Sequence, residues 1–221
     1  VPMRKSNPEM EDATRRLENR ARQLANGQTA MRKPGKVPTP LERLGALENV
    51  LRRAYLGFVS VSEERGTLSG VAEWLLDNFY VVQQALRQVG ENMPPGYYRR
   101  LPKLDEPPMD GYPRVYAVAR EVIDVVGGQV DVDQVARFVR AYQEERPLTM
   151  GEIWALPTML RLSVLELLTG AVARAADLEI PVPSDQLPDL PDLEGKVDEA
   201  IVAGAINSLR SIDAQDWDAF F

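Results

Sequence analysis

From Ile153 to Ala173 the chain carries only two charges, Arg161 and Glu166, and one proline, Pro157. A helix that is apolar on every side has to be enclosed on every side, by lipid or by other helices. Either charge would be costly at the middle of a bilayer. The expectation is therefore a core helix of a soluble all-α fold with no transmembrane segment. Thr149 and Glu152 have the spacing of a capping box that would open this helix, which can run to Leu178 at most. Pro157 should bend it or tighten its first turns.

The other apolar residues recur at helical intervals between Pro- and Gly-rich breaks. Met10, Ala13, Leu17, Ala21 and Leu24 place a narrow stripe on a helix over Pro8–Ala25. Asn26–Pro40 reads as a loop or linker, with Pro40 opening the next helix behind Thr39 and Leu44, Leu47, Leu51, Tyr55 and Phe58 following along it. A third helix starts at Thr67 or Ser69 and ends near Gly90, with Asn78 on its apolar face as a buried amide. Met93–Pro113 is irregular and Pro-rich, yet Tyr97, Tyr98, Leu101, Leu104 and Tyr112 predict that it is ordered against the core.

Helices resume at Arg114–Val126, stopped by Gly127-Gly128, and again behind Asp131 and Gln134, which have capping-box spacing. Glu194–Ser211 is expected to form the last helix. Asp216-Trp217-Asp218-Ala219-Phe220-Phe221 would then leave three aromatics with nothing after them, the look of a cut end. No strand pattern of useful length is visible. The expected architecture is an irregular bundle of about six to eight helices. It divides into a basic helix and linker (1–40), a helical core (41–178), a Pro/Asp linker (179–193) and the start of a further region (194–221).

The residue types restrict the chemistry. There is no Cys and no His, which excludes disulfides, thiolate and Ser-His nucleophiles and the usual zinc ligands. No phosphate-binding glycine motif occurs, and Asp131-Val-Asp133 lacks the Gly and Glu that a calcium loop needs. No cofactor and no metal are expected. Carboxylates alone could hydrolyse a glycoside, and Asp77, Glu121 and Glu152 are the candidates, although their spacing brings no two together. The net charge is -7, but residues 1–60 hold twelve Lys/Arg against six Asp/Glu, so the rest is thirteen units negative. The basic front (Arg15, Arg16, Arg20, Arg22, Arg32, Lys33, Lys36) reads first as a solvated helix face, and the acidic remainder argues against nucleic acid.

Four segments, Ala72–Phe79, Gly96–Leu104, Gly111–Tyr116 and Pro147–Ala155, resemble in order and spacing the N-terminal region of the cyclic β-1,2-glucan synthases, large bacterial inner-membrane enzymes. The resemblance covers about Thr67–Leu168, continues more loosely over Ser208–Phe221, and is weaker over residues 1–60. Members of that family build β-1,2-glucan from UDP-glucose and cyclise it, with a phosphorylase-like part for trimming. The resemblance implies that those activities sit in other domains of the same polypeptide, and that this chain is a non-catalytic scaffold or docking domain on the cytoplasmic side of the membrane. It carries no catalytic residue onto any position here. Asp77, Asn78, Arg114 and Glu152 are expected to share one buried polar network, with Lys103 bonding carbonyls or carboxylates nearby. Tyr98, Tyr116 and Trp154 complete the candidate structural or sugar contacts. The alternative is a carbohydrate-binding module that guides β-1,2-glucan along exposed Trp74, Tyr97, Tyr98, Tyr112 and Trp154. A free-standing carboxylate glycosidase ranks third.

Overall fold

A computed structural model describes residues 8–28, 31–32, 39–65, 68–181 and 188–217. The described residues form eight α-helices: α1 Pro8–Gly27, α2 Leu44–Arg65, α3 Gly70–Asn92, α4 Pro95–Tyr98, α5 Arg114–Val125, α6 Val132–Glu145, α7 Met150–Ala176 and α8 Asp198–Ala214. A 3-10 turn over Pro40–Arg43 leads into α2. The all-α expectation holds. Among the described residues the exceptions are a two-residue antiparallel ladder of β1 (Met31–Arg32) on β2 (Lys103–Leu104), pairing Met31 with Leu104 and Arg32 with Lys103, and a single bridge from Lys103 to Pro113. Two residues are too few to show an alternating pattern in a sequence.

Helix α7 is the axis of the fold. It packs against α2, α3, α5 and α8, and the most apolar part of Met150–Ala176 is wholly buried among them. Its start is set locally. Thr149 Oγ1 accepts from the Glu152 N–H at 3.3 Å, and Glu152 Oε2 accepts from the Thr149 N–H at 2.8 Å, the reciprocal pair of a capping box. The helix runs unbroken through Pro157 and stops at Asp177, whose φ of 52° is left-handed. Helix α1 instead lies on α6 and touches α5. Its buried stripe is Leu17, Ala21 and Ala25, with Ala13 exposed, so small side chains let α1 sit close to its partner.

Most helix ends fall where their caps predict. Ser69 accepts from the Ala72 N–H at 3.3 Å to start α3, and Asp131 accepts from the Asp133 and Gln134 N–H groups to start α6. Pro40 stands at the first position of its turn behind Thr39, but Thr39 makes no side-chain cap bond. Two expectations need correction. Helix α8 begins at Asp198, four residues later than Glu194, because Gly195 turns the chain at φ 76° and Val197 takes the cap position. Trp217 is half-buried and turns back onto α8, donating Nε1–H to the Ile212 carbonyl at 2.8 Å, rather than hanging free. The expectations for Lys33, Lys36, Thr67 and the final Phe220-Phe221 lie outside the described residues.

The Pro-rich connection is ordered, as its aromatics predict. Tyr98, Leu101, Leu104 and Tyr112 are buried. Its backbone closes on itself through Leu104 N–H to Tyr112 O at 2.9 Å, Gly111 N–H to Leu104 O at 2.7 Å and Arg114 N–H to Pro102 O at 3.0 Å. A second junction forms where α5 ends. The Ser208 hydroxyl lies 2.9 Å from the Gly128 carbonyl and accepts from the Val130 N–H at 2.8 Å, which ties α8 to the turn after α5. Gly128 sits there at φ 77°, and a Cβ would meet Leu167 Cδ2 at 2.8 Å and Leu193 Cδ1 at 2.9 Å. Gly128→Ala therefore combines a left-handed backbone penalty with overpacking. It should lower the free energy of urea unfolding by about 2–4 kcal/mol.

Candidate functional site

Apart from Arg161, the charged side chains buried among the described residues fall into three separate centres, two of them on α7. At its first turn, Arg114 grips Glu152 with two parallel bonds, Nε to Oε1 at 2.7 Å and Nη2 to Oε2 at 2.5 Å, and Nη2 also donates to the Pro147 carbonyl at 3.0 Å. Glu152 is 0% exposed and Arg114 5%. The same carboxylate that caps α7 thus also anchors the first residue of α5. Burial works against the Arg114 charge, but the hydrogen bonds and charge of Glu152 outweigh it and hold the guanidinium pKa above its ordinary value.

The second centre surrounds Glu166, also 0% exposed. Its Oε1 accepts from Arg43 Nη1 at 3.1 Å, and the Tyr116 hydroxyl lies 3.0 and 2.9 Å from the two carboxylate oxygens. Arg43 also donates to the Pro188 carbonyl, and Arg120 reaches the Tyr116 oxygen at 3.3 Å. Full burial pushes the Glu166 pKa up, against the pull of Arg120, Arg43 and the tyrosine bond. Tyr116 is pushed up by burial and then by the charge of Glu166.

The third centre is Lys103, which donates to the Tyr98 carbonyl at 3.1 Å and stands 3.6 Å from the centre of the Tyr98 ring. Burial lowers its pKa to about 8 and raises that of Tyr98. Nearby, the Tyr97 hydroxyl donates to the Gly151 carbonyl, fastening α4 to the start of α7.

The expected single network of Asp77, Asn78, Arg114 and Glu152 does not form. Arg114 and Glu152 pair with each other. Asn78 instead donates to the Trp74 carbonyl at 2.7 Å and accepts from Arg210, so it joins α3 to α8. Asp77, one residue earlier and about 100° round the helix, is exposed. The three carboxylates considered for glycoside hydrolysis are likewise separate, since Glu121 pairs with Arg20. The aromatic platform expected from Trp74, Tyr97, Tyr98, Tyr112 and Trp154 is broken up as well. Tyr98 and Tyr112 are buried, Tyr97 and Trp74 half-buried, and only Trp154, at 66%, stands open. Among the described residues no cluster of acids could hold a metal.

Sequence reasoning missed Arg43 and gave Glu166 no role. The one available signal was a carboxylate inside an apolar helix, which demands a partner. Nothing local points to Arg43, 123 residues away. Arg161 was visible for the same reason. It lies 3.7 Å from Asp213, with its Nε unpartnered, and burial lowers its pKa.

No family model matches the chain. Over 121 residues, 54% of its length, it is 33% identical to the cyclic beta-(1,2)-glucan synthase NdvB of Rhizobium meliloti (strain 1021), and the match spans 4% of that protein. The chain is thus related in sequence to a short part of a much larger synthase, in line with the resemblance read from its motifs.

Arg114→Ala would leave Glu152 charged, buried and unpaired, and should lower the urea unfolding free energy by about 3–5 kcal/mol. Adding Glu152→Gln to Arg114→Met removes both charges and should cost less than Arg114→Ala alone. Lys103 titrates at about 8 when folded and at about 10.4 when unfolded. Between those values the unfolded chain binds more protons, so the wild type gains stability as pH rises through this window. Lys103→Met should therefore raise the thermal midpoint at pH 7, with the gain shrinking from pH 8 to 10.

Proposed function

We propose that this chain is a non-catalytic scaffold and docking domain of a cyclic β-1,2-glucan synthase, held on the cytoplasmic side of a bacterial inner membrane. Other domains of the same polypeptide would make the glucan from UDP-glucose. The observation that carries this reading is the use made of the buried charges. Arg43, Lys103, Arg114, Glu152, Arg161 and Glu166 each contact another part of this same chain. Groups held in this way fix the mutual placement of helices. The sequence relationship to the Rhizobium synthase supports this choice of parent activity.

A docking role also needs a surface. Met150 and Trp154, 64% and 66% exposed, lie one turn apart at the start of α7. This turn is braced from beneath by the Thr149–Glu152 cap and the Tyr97 bond, so the two apolar side chains project from a rigid base. Their proposed occupant is another domain of the same polypeptide.

An antibody against this chain, used on membrane and soluble fractions of the source cell, tests the reading. A membrane band far larger than 24.7 kDa is expected, and a soluble band of that size would overturn it. In the full-length protein, Met150→Ser with Trp154→Ser should lower glucan synthesis while leaving the unfolding midpoint of the isolated chain unchanged.

A further inference from the structure

Helices α2 and α3 run antiparallel, with Leu44 against Gly90 at one end and Tyr55 stacked on Phe79 further along. Between them lies a surface groove of about 560 Å³, within the roughly 300–1,000 Å³ typical of small-ligand sites. Glu48, Arg52 and Tyr55 fall on one stripe of α2 at i, i+4 and i+7. Phe79, Gln83 and Arg87 fall on one stripe of α3 at i, i+4 and i+8.

The two ends of the groove differ in chemistry. At one end the rings of Tyr55 and Phe79 stack on each other with centroids 4.3 Å apart and 23° between their planes, both half-buried, so each gives one face to its neighbour and the pair is held firmly in place. At the other end the antiparallel register sets Glu48 across from Arg87 and Arg52 across from Gln83. All four are exposed, and none makes a hydrogen bond or an ion pair among the described residues. Elsewhere on the surface, pairs at helical spacing do close, as in Arg16 with Asp12 and Arg22 with Glu18. Here Glu48 and Arg52 have that same i, i+4 spacing and stay apart.

The lining selects among ligand classes. An apolar segment would desolvate four polar side chains without replacing their bonds with water. A polyanion would meet Glu48 between the two arginines. A neutral sugar chain suits both ends: its C–H groups pack against the stacked rings, and its hydroxyls donate to Glu48 and accept from the guanidinium donors of Arg52 and Arg87 and the amide of Gln83.

The geometry points to the α2/α3 groove as a binding site for a short neutral gluco-oligosaccharide. Tyr55 and Phe79 pack against its C–H groups, and Glu48, Arg52, Gln83 and Arg87 contact the hydroxyls. The choice of glucose units rests on the synthase reading above; the ligand class rests on the groove.

The test is a titration of the 221-residue chain, followed by amide NMR, with β-1,2-linked gluco-oligosaccharides and, separately, with UDP. Saturable shifts confined to α2 and α3 are expected with the oligosaccharide. The double variant Arg52→Ala with Gln83→Ala should weaken binding at least tenfold and leave the unfolding midpoint unchanged, since neither side chain has a partner among the described residues. The assignment is overturned by no saturable shift, by undiminished binding in the double variant, or by UDP binding in the oligosaccharide's place. A failed titration beside a large membrane band removes the groove and leaves the synthase reading. Oligosaccharide binding beside a small soluble band does the reverse.

Discussion

Glu166 is the group whose needs organise the most distant parts of this chain. It sits on the helix that the others enclose, 0% exposed, where an ion without partners would cost several kcal/mol. Its partners come from the turn before α2 (Arg43) and from α5 (Tyr116), and Arg43 extends the link to the segment before α8 through Pro188. Glu152 acts in the same way at the start of α7, where one carboxylate serves as helix cap and as anchor for α5. A hydrophobic core of this size would collapse without such pairs. What they add is register: α7 is apolar on nearly every side and could otherwise rotate or slide among its neighbours at little cost.

This division explains what could be read from the sequence. Helix ends were legible wherever their determinants lie within a few residues, as with Thr149 and Glu152, Ser69, or Gly127-Gly128. The burial of Tyr98, Leu101, Leu104 and Tyr112 followed from a Pro-rich segment too apolar to be solvated. The start of α8 was not legible, because a positive φ at Gly195 decides it and helical periodicity cannot report a backbone sign. The pairing of Asn78 with Arg210 and of Arg43 with Glu166 depends on tertiary placement across more than a hundred residues. The resemblance grouped Asp77, Asn78, Arg114 and Glu152 by segment, whereas the fold uses them on different faces.

The same logic separates the inside of the molecule from its surface. Inside, most polar side chains converge on partners, Arg161 Nε and Ser163 Oγ being exceptions. On the α2/α3 face the opposite holds: Glu48, Arg52, Gln83 and Arg87 are close enough along and across two helices to pair, and among the described residues they have no partner. These residues lie outside the four segments that carry the family resemblance, and exposed polar side chains on a helix surface do not stand out by periodicity. The aromatics singled out in the sequence were instead largely drawn into the core.

The absence of His gives the fold a particular response to pH. No side chain here has an ordinary pKa between 5 and 8, so sensitivity near neutrality has to come from groups that burial displaces. Burial does this from both sides, lowering Lys103 to about 8 and raising Glu166. Both shifts favour the uncharged form, and each group borders a buried tyrosine of its own: Lys103 lies over Tyr98, and Glu166 bonds Tyr116. The two centres differ in what loss of charge would do. Neutral Lys103 keeps a donor for the Tyr98 carbonyl, so its site survives deprotonation. Protonated Glu166 would weaken its hold on Arg43, and with it the link from α7 to the turn before α2. Acidification thus gives up the Arg43 ion pair but relieves the buried Glu166 charge. Because burial raises the Glu166 pKa, the folded chain takes up this proton more readily than the unfolded one, so this group adds stability as pH falls, just as Lys103 does as pH rises.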